Sequence, residues 1–190
     1  MQSAMRIALA LLGCALVLAC VSTLAPTPAD RDAAITREDF ADWMVEYALE
    51  TRRESLSKAA RKGIVILESD WLGDDGELAV SLHSTVYWTR TPAEAQAAFR
   101  ALLAGAGRGK HGIDWRPAFT HTGWAEGAKA YLLVRRREVI GNLYFGHREN
   151  VAVMVMLTGL YTSRSREFER KLEPLLWQLT HHAAQSAAVE

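Results

Sequence analysis

Beyond residue 20 the chain has no cysteine, because both of its cysteines, Cys14 and Cys20, fall in the N-terminal segment. A domain built from the remaining residues therefore has no disulfide, no thiolate metal ligand and no cysteine nucleophile, and its stability must come from packing. An excess of one charge is lacking as well. The 22 basic and 22 acidic side chains create no global field toward nucleic acid or an anionic surface, and losing Arg6 with an N-terminal leader hardly alters the balance. No HExxH, no GxSxG and no other ligand spacing joins His83, His111, His121, His147, His181 and His182. His181 and His182 are neighbours in a helical stretch and project about 100° apart, which prevents simple chelation of one metal. The sequence thus implies no metal and no cofactor.

One phosphate-binding pattern is present by letters alone. Gly107-Arg108-Gly109-Lys110-His111-Gly112 spells GxGxxG, but that motif needs a strand before it and a helix after it. Here a helix precedes and an extended segment follows. The P-loop pattern also fails, since Ala104 stands where it needs glycine and His111 where it needs serine or threonine. The segment reads as a basic loop, with Arg108 and Lys110 as candidate anion or partner contacts.

What the sequence does hold is concentrated between Met5 and Cys20. Arg6 is the only charge in the first 29 residues, and Ile7 to Ala19 is a nearly unbroken apolar run. A short basic region, an apolar stretch and a small residue before the cut form the layout of a secretory signal. The run closes Val17-Leu18-Ala19-Cys20, which resembles the lipobox of bacterial lipoproteins. Leu18 departs from the Ala, Ser or Thr usual at its place. Membership of that class implies cleavage before Cys20 and a diacylglyceryl group on its thiol. Val21, where an Asp would signal inner-membrane retention, implies the outer membrane in a Gram-negative source. Leu11-Leu12-Gly13-Cys14 is a second lipobox-like site with a much shorter apolar region. Three other readings stand beside acylation. Ile7 to Leu24 is 18 residues, within the span of about 17–25 that an uncleaved anchor needs. Ordinary cleavage near Ala29 and a buried core helix are the others.

Residues 1–19 are therefore read as the signal peptide, and 20–35, with Pro26 and Pro28, as a tether. Residues 36–183 form one domain and 184–190 a frayed tail. Thr36 caps a helix with Phe40, Trp43, Met44 and Tyr47 on one face, ending in Arg61, Lys62 and Gly63. Ile64 to Leu67, the turn Gly73-Asp74-Asp75-Gly76 and the alternation from Leu78 to Trp88 read as a hairpin. Thr91-Pro92-Ala93-Glu94 is a capping box with proline at the first helical position, opening a helix that ends at Gly105.

Three strands follow Trp115: Tyr131 to Arg136, Val139 to Phe145 and Val151 to Tyr161, the last apolar on both faces and so covered on both sides. A final helix begins near Ser163 or Ser165 and buries Phe168, Leu172, Leu175, Leu176 and Leu179. Pro174 within it predicts a kink or a restart. This order predicts an α+β domain, an antiparallel sheet of about five or six strands with helices on both faces. Through Thr158-Gly159-Leu160-Tyr161 and the segment from Phe168 to Leu179, the layout resembles the Mog1/PsbP-like fold, whose members are mostly non-enzymatic binding proteins.

Candidate site residues follow from type and place. Trp115 and Trp124 lie in loop-like sequence and are candidates for a ligand groove, whereas Trp43, Trp88 and Trp177 sit on apolar stripes and are expected in the core. Arg135 and Arg137 would share one face of a strand, as solvated charges or as a contact for phospholipid or an acidic partner. His83, His121 and His147 lie in or near strands and could converge; Asp74 and Asp75 are turn residues first. The expected function is that of a membrane-anchored envelope lipoprotein facing the periplasm and binding another envelope protein or a lipid. An apolar-ligand carrier, with a pocket lined by Trp115, Trp124 and the Met154/Met156 strand, and a cell-envelope hydrolase are the alternatives. For the anchor, Cys20→Ser should abolish acylation and release the protein, while Cys14→Ser should leave both intact. Fractionation and intact mass of the two variants check this, and the reverse pattern would select Cys14.

Overall fold

A computed structural model describes residues 22–34, 39, 49–77, 79–105, 113–118, 123–164, 166, 169–170 and 172–187, with side chains described as far as 181. Its elements in chain order are β1 (Ser22–Leu24), α1 (Pro28–Asp32), β2 (Glu50–Arg61), β3 (Ile64–Asp74), β4 (Ala79–Trp88), α2 (Pro92–Gly105), β5 (Ile113–Pro117), β6 (Glu126–Arg135), β7 (Glu138–Arg148), β8 (Val151–Thr158) and α3 (Glu173–Ala187). The strands form one sheet in the order β1-β2-β3-β4-β8-β7-β6-β5, every neighbouring pair antiparallel. Two four-stranded meanders are thus laid side by side and joined where β4 pairs with β8.

The expected α+β balance, a sheet of about five or six strands between helices, is corrected by this architecture, although α2 and α3 do lie on opposite faces. The protein is one eight-stranded antiparallel sheet with three short helices among the described residues, and the sheet dominates. The expectation lacked β1, β2 and β5. The largest difference is β2. Its residues, ETRRESLSKAAR, have the composition of the polar second half of a long helix, but they pair with β3 along nearly their whole length. The glycine taken as that helix's terminus belongs to a hairpin turn: Lys62 and Gly63 have φ of 50° and 79°, the pair of left-handed residues that a tight antiparallel turn requires. The face expected to carry Phe40, Trp43, Met44 and Tyr47 lies outside the described residues.

Two apolar cores flank the sheet. Val151, Val153, Val155 and Leu157 of β8 enter one core with Leu67, Trp71, Val80, Leu82 and Val86, covered by Leu172, Leu176 and Leu179 from α3. Ala152 and Met156 enter the other with Phe99 of α2, Ile113, Trp115, Leu133, Leu143 and Phe145. The strict period of two in β8 places consecutive residues in different cores. Thr91 caps α2 as expected, its Oγ1 accepting from the Glu94 N–H at 3.2 Å. The Glu94 carboxylate reaches one residue further back than a standard box and accepts from the Arg90 N–H at 2.9 Å. Pro174 is the second residue of α3, a place where its missing N–H costs nothing, and residues 169–170 before it are helical, so of the two expectations the structure shows the restart and not the kink.

Residues 22–34, expected as a tether, are built into the domain. β1 extends the sheet by pairing Ser22, Thr23 and Leu24 with Ala60, Ala59 and Lys58. α1 then turns onto the face carrying α3, where Ala33 and Ala34 join the core. A capping box fixes its start: the Thr27 hydroxyl donates to Asp30 Oδ2 at 2.7 Å, and the Asp30 N–H donates back to Thr27 Oγ1 at 3.3 Å. Asp30 Oδ1 lies 3.1 Å from Lys58 Nζ, with the two residues 3 % and 5 % exposed. The Lys58 ammonium also stands over the Trp88 ring, 5.5 Å from its centroid. Burial alone would raise the Asp30 pKa. The hydrogen bonds from the Thr27 backbone and hydroxyl and from Lys58 outweigh it, and the pKa falls below the ordinary 3.8.

Breaking such a pair from one side leaves a buried charge uncompensated, a loss of about 3–5 kcal/mol. Asp30→Ala should cost that much in urea denaturation at pH 7. The lowered pKa fixes the sign of the pH dependence: the stabilisation by ionised Asp30 is complete above pH 3.8 and is lost as the pH falls through the lower folded value. Asp30→Asn should therefore be destabilised at pH 7 and show a shallower acid limb than the natural chain.

Candidate functional site

Pairing of β3 with β4 sets Asp70 opposite His83, and the strand period sets His83 and Thr85 on one face. With Asp70 ionised, the His83 Nδ1–H donates to Asp70 Oδ1 at 2.9 Å, and in the neutral ring Nε2 accepts from the Thr85 hydroxyl at 3.0 Å. Carboxylate, imidazole and hydroxyl are thereby linked in the order of a nucleophile relay. Access separates it from a working one. Thr85 is 3 % exposed and lies opposite Met154 of β8, while His83 lies opposite Met156. A hydroxyl so enclosed has no path to a substrate carbonyl, and the three groups satisfy one another in a bridge that is buried at Thr85 and His83 and reaches the surface at the part-exposed Asp70. The Ser81 and Thr158 hydroxyls, 2.6 Å apart, continue the polar row between β4 and β8.

The other expected histidines do not join this cluster. His147 lies on β7 opposite Ala152, with Nδ1 3.8 Å from Glu126 Oε2 and its ring edge-on to Phe99. His121 lies outside the described residues. His181 stacks on the half-exposed Trp177 ring at 4.7 Å. Among the described residues no group of three or more His, Cys, Asp and Glu is placed to hold a metal ion.

The two candidate groove tryptophans occupy different cores. Trp115 is 5 % exposed and packs against Tyr131 and Phe145 on the α2 side. Trp124 is fully buried on the α3 side, its ring resting where Gly146 leaves room; a Cβ there would stand 2.7 Å from the indole. With the sheet between them they line no common groove, which corrects that expectation and the pocket built on it; Met156 shares a core with Trp115 alone.

Arg135 and Arg137 do not share a strand face either. β6 ends at Arg135, which pairs with Glu138, and Arg136 and Arg137 form the turn with φ of 50° and 74°. Arg108, Lys110 and Cys20 lie outside the described residues. Asp74 is held by Arg52, whose Nε donates to it at 2.9 Å, and this pairing lowers the carboxyl pKa at an exposed turn.

The site residues that sequence reading missed are Asp70 and Thr85 in the relay, and Asp30 and Lys58 beside the N-terminal segment. Thr85 was reachable from its spacing to His83, whereas Asp70 needs the strand register. No protein-family model, curated protein or solved structure matches the chain.

Because the His83 bridge is enclosed, removing one member should act on stability. Thr85→Val leaves the imidazole Nε2 without its partner and should cost about 1–3 kcal/mol in chemical denaturation. An unchanged midpoint would show that this side of the ring has access to water.

Proposed function

We propose that the chain is a cell-envelope lipoprotein, acylated at Cys20, whose domain binds another envelope component and catalyses no reaction. The observation that carries this reading is the junction of two features. The segment ending Val17-Leu18-Ala19-Cys20 resembles a lipobox, and the first strand begins at Ser22, only two residues later. A cysteine placed there suits attachment of a folded domain directly at a surface. No helix among the described residues is long and apolar enough to cross a membrane. The burial of Thr85 supports the non-catalytic half of the reading, since the relay-like Asp70–His83–Thr85 set among the described residues has no approach for a substrate at its hydroxyl.

A hydrolase is the second reading, favoured by the order of contacts in that same bridge and opposed by the burial of Thr85. The two readings separate in one experiment. The acylated chain is crosslinked in native membranes and purified beside its His83→Gln variant. The expected result is one envelope protein recovered with both forms and lost when Cys20→Ser prevents anchoring. Recovery of only a lipid or small molecule would contradict partner binding. Accumulation of a covalent substrate adduct on the natural chain alone would favour the hydrolase.

A further inference from the structure

We infer that the end of the sheet formed by Ser22, the β2–β3 turn and the end of β4 lies against phospholipid headgroups, with Lys62 and Arg90 beside their phosphates. The inference rests on acylation at Cys20, and the reach of the chain carries it further. Two residues of extended chain cover at most about 7 Å. The headgroup layer of one leaflet is itself roughly 5–8 Å thick. An acyl chain buried from Cys20 therefore holds Ser22 at or within that layer. Ser22 has no freedom to swing away from the domain, because it is paired with Ala60 at the end of β2. The next ordered segment is pinned in turn by the buried Asp30–Lys58 pair.

The side chains at this end suit the surface. Arg61 closes β2, and Lys62 is exposed at the turn. Arg90 follows β4, its Nε 3.3 Å from where a Cβ on Gly63 would stand, so its guanidinium lies beside the same turn. Arg90 carries its own counter-charge, Glu94 at 2.6 Å, and Lys62 is the exposed cation of the turn. Attraction to anionic lipid fades within about 8–10 Å of the surface, so the cations nearest the anchor decide it. The β3–β4 turn at the other end of these strands carries Asp74, Asp75 and Glu77. An eleven-residue strand at about 3.3 Å per residue puts that turn roughly 35 Å away. Arg52 and Arg53 stand at that far end too, Arg52 bound to Asp74, but Glu50, Asp74, Asp75 and Glu77 outnumber them, so along the anchored meander the balance is acidic there and basic toward the membrane. The acidic Glu126 and Glu149 share the membrane-side end but belong to β6 and the β7–β8 turn, on the far half of the sheet.

The test uses the full acylated chain in vesicles of phosphatidylcholine and phosphatidylglycerol. The chain beyond residue 20 is free of cysteine, so Lys62→Cys and Glu77→Cys each offer one thiol for a fluorophore. A spin label on the lipid headgroup serves as quencher. The label at position 62 should be quenched several-fold more than the label at 77. Equal quenching, or stronger quenching at 77, in a chain that floats with vesicles and carries the acyl mass would overturn the orientation while leaving the anchor intact. A chain lacking the acyl mass would overturn the anchoring reading, and the orientation with it.

Discussion

Lys58 projects from β2 into the apolar side of the sheet, where an ammonium without a counter-charge would be strongly disfavoured, and Asp30 supplies that charge from a segment 28 residues earlier. Asp30 is held ready by the Thr27 capping box, so the carboxylate meets Lys58 with little freedom left to lose. The pair determines where the chain preceding the domain must lie. It turns residues that read as a spacer into the edge strand and strap of the sheet, and makes the position of Ser22 a fixed property of the fold. A hydrophobic pair of the same volume could give similar stability. A charged pair adds a demand for one particular partner.

The remainder of the fold is a consequence of joining two meanders through β4 and β8. Those strands are central, β8 is apolar on both faces, and each face needs its own cover. α2 and α3 supply the covers from opposite sides, and the large aromatic residues are consumed in doing so. Trp115 and Trp124, which would make a groove if they met, are instead spent on separate cores. His83 belongs to the same economy: a polar ring within a packed sheet face is tolerated because Asp70 and Thr85 occupy both of its nitrogens.

Legibility in the sequence followed the strength of local pattern. Alternation revealed β4, the doubly apolar run revealed β8, and Thr91-Pro92-Ala93-Glu94 revealed the start of α2. A near copy stands at Thr27-Pro28-Ala29-Asp30, with Asp in place of Glu, inside a stretch whose two prolines suggest a linker. That box was readable; its ion pair was not, because Lys58 lies in a polar stretch with no sign of which lysine turns inward. β2 was misread because a strand near a sheet edge has little need of alternating apolar residues. Its composition then fits a solvated helix as well as a ladder, and pairing with β3 decides the matter. Asp70 belonged to no motif, and strand register alone brings it to His83. The resemblance to a lipobox lies in letters outside the described residues and rests on sequence.

The central claim is that the chain is fixed to the sheet from Ser22 onward, and amide hydrogen exchange on the protein tests it most directly. Pairing of β1 with β2 and the α1 strap predict that protected amides of residues 22–34 exchange orders of magnitude more slowly than an unstructured peptide. Replacing Asp30 with Asn should release protection there before it is lost from β4 and β8. Exchange of residues 22–34 at the unstructured rate in the natural chain, with the β4 and β8 amides still protected, would contradict the claim.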